Sequence, residues 1–598
     1  MKQSDDRFHA IWARDRLICR LAAAWSWFAV FVLTRGGDFT ELAFGQSYSL
    51  YLAGLWTLGG FFFLTLMALA GHPWHTDSWF LLGGATVCVW HWLVGGPQDD
   101  SKYLFWLAVC AAYIVFVLYF IHANDELFRR WSPGRRTVIA VAVVAALASC
   151  IIISTITCLR YLTFSSPNYD FGIFVNMFHN MRESGLPMVT SERDELLSHF
   201  AVHISPTYYL LLPFYWLFPS PLTLQIGQAV VLMLGMIPVV LLARHFGLSG
   251  KTTIAVSLLY AFFPALCTGC FYDIHENCFL PLFLLLTFYF YETRRPIPMY
   301  LSAVCVLGVK EDAAIYLIVF ALYLLLSRRS YLHGLLLLVI SGGWFVLATH
   351  LINTYGDGVL SNRIDNLIYD PDMGLLGVIK TALVNPGFLL TQMFTTSGGT
   401  WDKVVYFLQM LLPLGFLPFC TKKLSRWLLI APMLINLFTR YQYLYDLGFQ
   451  YHFGNTAFLM YAVLLNLPEL SRTWRRSLLG VAAACCLCLY LCAVAPKLNG
   501  YVTRWSDGKE TYARMEALLD TVPEDASVNC STFLLPHMAD RSEIYEIGYH
   551  GDKPDVDYVV IDARYRGWRD TMQAYLAQGY EMQTNEPGLI VILRRAGA

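Results

Sequence analysis

Charge is what this chain has least of. Only 14% of its 598 residues are Asp, Glu, Lys or Arg, where ordinary soluble domains carry about 25%. Hydrophobic residues make up 57%, and the mean hydropathy is +0.49. This composition excludes a soluble globular protein and calls for a bilayer. The formal net charge of −1 excludes a nucleic-acid-binding surface, because phosphate neutralisation needs an excess of Lys and Arg. A cleavable signal peptide is not evident. The start is polar and basic (Lys2, Arg7, Arg14, Arg16, Arg20), and the apolar stretch after it lacks a small-residue cleavage site. There is no internal repeat and no low-complexity segment, and the matched halves common in secondary transporters are not visible. The 15 cysteines sit mostly inside apolar runs (Cys88, Cys110, Cys150, Cys485, Cys486, Cys488), where they act as small hydrophobes. Cys267 and Cys270 form a CxxC that could bridge or bind metal, but no nearby His pair completes a zinc site.

What the chain does have is apolar segments. They fall at 17–35, 47–70, 77–95, 103–122, 136–160, 222–243, 252–270, 277–292, 297–309, 313–328, 331–351, 403–420, 425–440, 455–468 and 477–496. The expectation is an α-helical polytopic membrane protein with about fifteen crossings, some short or tilted. The stretch 206–219 is too short and too Pro-bounded to span, and reads as re-entrant or interfacial. Arg129, Arg130, Arg135, Arg136, Arg244, Lys251, Arg294, Arg295, Arg328, Arg329, Lys422, Lys423, Arg475 and Arg476 then fall in loops on the side of the basic N-terminus. The positive-inside rule makes that side cytoplasmic. A multi-pass plasma-membrane protein with a cytoplasmic N-terminus follows.

Three regions emerge: an accessory helical unit at 1–122, a main membrane domain at 136–496, and a C-terminal segment at 500–598. In the last, apolar runs shorten to strand length (557–562, 588–595) between helical patterns at 509–520 and 568–578. That alternation predicts a small extracytoplasmic α/β domain.

The ionisable residues left over gather on the outer side. Asp170 follows a nearly charge-free helix. A carboxylate at a membrane surface suits catalysis, although it could equally cap the helix that begins at Phe171. His199 and His203 have the i, i+4 spacing of a metal pair or of two imidazoles lining a polar cleft. Asp273, His275 and Glu276 are squeezed into a turn between apolar helices, where burial is costly unless they pair or bind something. Lys310 and Glu311 occupy another tight turn; Lys310 offers a cation to an anionic substrate, or the two form a self-satisfied pair. The loop 352–402 carries Arg363, Asp365, Asp370, Asp372 and Lys380. After it come Arg440, Tyr441, Tyr443, Tyr445, Tyr451 and His452, a set that suits either interfacial anchoring or stacking on a sugar beside a phosphate.

The ordered motifs YDFGIF, HFAVHISPTYYLLLPFYWLFPSP, FYDIHEN, GVKEDAA, QYHFGN and SVNCSTFLLPHMADRSEIYE resemble a family of polytopic prokaryotic membrane proteins known as domain of unknown function 2079. The resemblance runs over residues 140–595; residues 1–122 lie outside it. That family in turn resembles the GT-C class of glycosyltransferases. The resemblance implies a GT-C-like membrane module, a polyprenyl-phosphate-linked sugar donor arriving through the membrane lipids, and an acceptor of unspecified identity. It makes Asp170 the catalytic base and places the Asp273/His275/Glu276 turn beside substrate. A divalent metal enters as an optional cofactor, with Asp170, Asp273 and His275 as candidate ligands. Tyr169 stands where some GT-C branches have a second acid, which departs from the metal-dependent pattern. Lys310, Arg363 and Arg440 are the candidate cations for the leaving phosphate. Two other classes compete: a transporter or flippase of a lipid-linked or anionic substrate, and a non-catalytic envelope assembly protein working through its C-terminal domain.

Overall fold

The computed structural model describes residues 12–46, 48–70, 76–97, 102–356, 363–368, 373, 375–396, 401–549 and 555–596. Lys2, Arg7, Asp370 and Asp372 lie outside them. A helix or a short series of helices stands at each apolar segment predicted to span. Among the described residues, eight helical stretches are long and apolar enough to cross a membrane. They include α1 (Arg14–Leu33), α2 (Leu50–Leu69) and α5 (Arg135–Leu162). At 1.5 Å per residue the 28 residues of α5 reach beyond a ~30 Å hydrocarbon core. The protein is thus a mostly helical membrane protein with a small C-terminal sheet.

The N-terminal helices make their own cluster. Arg20 of α1 is fully buried; its Nε and Nη2 donate to the two carboxylate oxygens of Asp77, each at 3.0 Å, and its Nη1 donates to Thr65 of α2 at 3.1 Å. Asp77 begins α3 (Thr76–Val94), so one bidentate pair ties three helices. Buried residues of α3 and α4 (Lys102–Ala123) pack against α14 (Arg472–Ala493) of the main bundle.

In the main bundle, α6 (Ile173–Ser184) and α7 (Pro221–Leu234) flank the long first loop, followed by α8 (Gly250–Ala261), α9 (Leu280–Glu292), α10 (Pro296–Leu307), α11 (Ala314–Leu326), α12 (Tyr331–Tyr355) and α13 (Phe453–Asn466). Every residue of α13 is buried, so it forms the centre of the bundle. The basic loops meet one another at one end. Lys251 donates to the Phe128 carbonyl, Arg476 pairs with Asp125, Arg328 with Glu292, and Lys423 and Arg426 share Glu469. The stretch 206–219 forms two short helices, Pro206–Leu210 and Leu212–Leu217. They bury Tyr208 and Tyr215 while Phe214, Trp216 and Leu217 stay exposed.

The next helix, α15 (Ala495–Leu519), follows α14 almost without a break and runs straight into the C-terminal region, so the change of composition near residue 500 falls within a helix. Beyond a two-stranded ribbon in the first loop, β1 (Met188–Val189) with β2 (Leu197–Ser198), the strands are β3 (Val528–Cys530), β4 (Ile544–Glu546), β5 (Tyr558–Asp562), β6 (Tyr580–Glu586) and β7 (Ile590–Arg595). They form a mixed sheet in the order β4-β3-β5-β7-β6, with α16 (Trp568–Ala577) on one face. Side chains alternate across a strand. Tyr558, Val560, Ile590 and Ile592 therefore join the main core, whereas Val559, Ile561, Val591 and Leu593 pack with Met572 and Tyr575 of α16. The sheet is a layer of the same body as the helices.

Candidate active site

Asp170 sits at the hinge between α5 and α6. Its backbone has φ +64° and ψ −60°, close to the strained γ-turn region and unusual for a residue with a side chain. It does not cap the helix. The N-cap of α6 is Gly172, with no side-chain cap bond. Gly172 lets the Asn168 and Leu535 side chains pack close, since a Cβ there would meet them at 2.6 and 2.8 Å and push them aside. The loop is instead held by its neighbours. The Asn168 backbone N–H donates to Thr532 Oγ1 at 3.1 Å, and its Nδ2 donates to Glu546 Oε2 at 2.8 Å and to the Ser191 carbonyl at 3.0 Å. His537 lies between Tyr161 and Phe164, with ring centroids 4.1 and 3.7 Å away. Residues of the C-terminal region thus clamp both ends of the segment that presents Asp170.

The charge of Asp170 acts on Tyr208, Tyr272, Arg363 and Tyr451. Arg363 rests over the rings of Tyr441 at 5.1 Å and Tyr451 at 5.5 Å, and no carboxylate among the described residues forms an ion pair with it. Burial opposes its charge, but the tyrosines, Asp312 and Asp170 around it raise its pKa further. A stacked guanidinium with free edges beside an unengaged carboxylate is suited to a phosphate ester. Tyr272, Phe449 and Tyr443 continue the aromatic wall, with successive centroids 4.7 and 4.5 Å apart.

Beneath lies a buried charge network. Glu276, with no exposed surface, takes the Tyr208 hydroxyl on Oε2 at 2.8 Å. His275 Nδ1 stands 2.9 Å from Oε2, and Lys310 Nζ 3.0 Å from Oε1 as an ion pair, both off the hydrogen-bond direction. Burial would raise the Glu276 carboxyl, but the His275 and Lys310 charges outweigh it and hold the pKa well below the usual range. Lys310 in turn is raised, because Glu276, Glu311 and Asp312 outweigh burial. Glu311 takes His203 Nδ1 at 2.9 Å and the Ile204 N–H at 3.3 Å. Burial and the Lys310 cation lower His203, so at neutral pH it is the neutral donor to an ionised Glu311. His199 pairs with Glu192 at 2.8 Å; burial lowers its pKa, but the Glu192 charge prevails and raises it.

Several sequence expectations are corrected here. Lys310 and Glu311 are not a self-satisfied pair, because each points to a different partner. Lys310 already has a carboxylate beside it, Glu276. His199 and His203 stand with ring centroids 6.1 Å apart, the His203 backbone N–H donating to the His199 carbonyl at 2.9 Å, and each imidazole takes its own carboxylate, Glu192 and Glu311. Asp273 is saturated. Ser166 donates to its Oδ1 at 2.9 Å, Gln225 to the same oxygen at 2.6 Å, and Arg160 Nε to Oδ2 at 3.1 Å. Burial still raises its carboxyl against the pull of Arg160. With both oxygens taken, Asp273 does not fit a metal, and among the described residues no group of three His, Cys, Asp or Glu could hold one with Asp170 or His275. Arg440 is exposed, its Nε 3.3 Å from Gln392 Oε1. His452 is buried in the core with Nε2 2.8 Å from the Ala265 carbonyl, and burial pushes its pKa down to about 4. Cys267 and Cys270 are buried free thiols.

Residues that sequence reasoning passed over complete the network: Arg160, Tyr208, Ser166, Gln225 and Gln228. Their signal was there. A lone Arg near the end of an apolar helix, and two amides at i, i+3 inside another, are costly in a membrane unless they pair.

Among solved structures, the crystal structure of ArnT from Cupriavidus metallidurans bound to undecaprenyl phosphate is similar. It has 14% sequence identity over 77% of this chain and 98% of that one, with a TM-score of 0.47. No curated protein matches the chain. The family described as a predicted membrane protein, DUF2079, matches residues 160–591, a stretch that begins at the Arg160 strut, includes the Asp170 loop and the buried network, and ends within β7. The chain belongs to the DUF2079 family of predicted membrane proteins.

Proposed function

We propose that the protein is a membrane glycosyltransferase that moves a sugar from a polyprenyl-phosphate donor to an acceptor hydroxyl at the extracytoplasmic face. The observation that carries this reading is that Asp170, held at a strained backbone turn, acts electrostatically on Arg363, a guanidinium stacked on Tyr441 and Tyr451. The Asp170 side chain has no hydrogen bond or ion pair among the described residues, so its carboxylate oxygens are available to a substrate proton. In the proposed reaction Asp170 accepts the proton of the acceptor hydroxyl as its oxygen bonds to the anomeric carbon. The bond from that carbon to the phosphate oxygen breaks, its electron pair leaves on the polyprenyl phosphate, and Arg363 neutralises the released charge. A direct displacement inverts the anomeric centre. The aromatic wall supports the same reading, since tyrosine faces suit a sugar ring. The basic loops gather at the opposite end of the bundle, which supports the extracytoplasmic placement of the site. The Glu276–Lys310 network takes the role of a rigid floor.

The test is glycosyl transfer by purified full-length protein in nanodiscs, with a panel of polyprenyl-phosphate sugars and candidate acceptors. Wild type is expected to turn over at least one donor, and Asp170→Asn to lose that turnover while keeping its melting temperature. Equal turnover by the two proteins would overturn the assignment of Asp170.

A further inference from the structure

A second site lies where the accessory helices meet the main bundle. The end of α3, the start of α4, the helix Asp402–Leu411 and the end of α14 enclose a cavity of about 160 Å³ that shares no lining residue with the Asp170 site. That volume is many times the ~15 Å³ a single water needs. The walls are largely apolar, including Leu93, Phe105 and Leu489, and three polar groups interrupt them: Lys102, Trp106 and Gln409. Trp106 is only 7% exposed, and its indole N–H has no hydrogen-bond partner among the described residues. An N–H left unpaired at such a depth costs about 1–3 kcal/mol, so the site is built for an occupant that brings an acceptor. Lys102 and Trp106 are at i, i+4 on α4. They share a face one turn apart, about 6 Å along the axis, with the cation nearer the helix end.

We infer that this cavity binds the glycerol-ester region and one acyl chain of a glycerophospholipid. The phosphate lies toward Lys102, the ester carbonyl accepts from Trp106 Nε1–H, and the chain fills the apolar interior. A cation one turn above a buried donor matches a ligand with an anionic group above a carbonyl. A polyprenyl phosphate has no acceptor below its phosphate and does not meet this pattern. The bound lipid fills the seam between two sets of helices and so joins the accessory unit to the bundle.

Native mass spectrometry of the full-length protein, titrated with diacyl phosphatidylglycerol, its diether analogue and undecaprenyl phosphate, tests this. The wild type is expected to hold one diacyl lipid about fivefold more tightly than the diether, a ratio equivalent to ~1 kcal/mol. Trp106→Phe is expected to bind both equally, and Leu489→Trp, which fills the cavity, to retain neither. A diacyl preference that survives Trp106→Phe, undiminished lipid retention in Leu489→Trp, or displacement of the lipid by undecaprenyl phosphate would overturn the proposal. No outcome depends on glycosyl transfer.

Discussion

Lys310 Nζ lies 3.0 Å from Glu276 Oε1, across to a different helical hairpin, instead of turning to Glu311 beside it in the chain. Both groups are buried, with Lys310 only 1% exposed. The pair locks two turns of the bundle below the proposed site. Removing one partner leaves a charge without compensation, which costs about 3–5 kcal/mol. Lys310→Met is therefore expected to lower the melting temperature sharply, and Lys310→Met with Glu276→Gln to recover most of the loss. Thermal unfolding in one detergent would measure both.

Asp170 and Asp273 both sit at positive φ, +64° and +75°, yet their side chains do opposite things. Asp273 is filled by Arg160, Ser166 and Gln225. Asp273→Asn should lower stability by about 1–3 kcal/mol through the donors it strands, and activity should fall with it. Asp170→Asn should leave unfolding unchanged and abolish transfer. Turnover and melting curves on the same preparations separate the two roles.

Arg363 and Arg440 offer a matched comparison of cations. Arg363→Ala is expected to lower kcat about 10²–10³-fold, the scale of losing one group that stabilises developing charge. Arg440→Ala, an exposed residue on the Gln392 side, is expected to stay within twofold of wild type. A comparable loss in both would return the phosphate role to Arg440.

His452 predicts a pH dependence. Its folded pKa is about 4, depressed by burial from the ordinary imidazole range. The folded state therefore binds the proton less readily than the unfolded state. Its contribution is fully present above pH 6.5 and declines as pH falls toward 4, by a total on the order of 3 kcal/mol. Melting temperatures from pH 7.5 to 4.5 should fall more steeply in the wild type than in His452→Gln.

The sequence displays the helices and the sheet well, for identifiable reasons. Long uncharged runs have few alternatives to helix in a bilayer, and DYVVID, buried on both faces, reads as a central strand. It also marks the turns that bear charge. What it does not display is who pairs with whom. Glu276 meets Lys310 and Tyr208, and Glu311 meets His203. These partners come from turns separated by up to 108 positions, and adjacency in the chain suggested pairs that three-dimensional packing discards. The spacing of His199 and His203 does bring their rings within 6.1 Å, but it does not show the separate carboxylates, Glu192 and Glu311, that each takes. The lone Arg160 was visible, but its partner was not.

The clamp on the Asp170 loop has a consequence for biogenesis. Asn168 bonds to Glu546 across 378 positions, and Thr190 to Ile544 across 354. At about 5–20 residues per second of synthesis, the loop waits roughly 20–75 s on a ribosome-bound chain before the strand that secures it exists. Until then the turn keeps the Asn168 bond to the Ser191 carbonyl but lacks those to Thr532 and Glu546. A chain interrupted in that interval would be inserted without the clamp that presents Asp170, so the proposed activity waits until the sheet has been made.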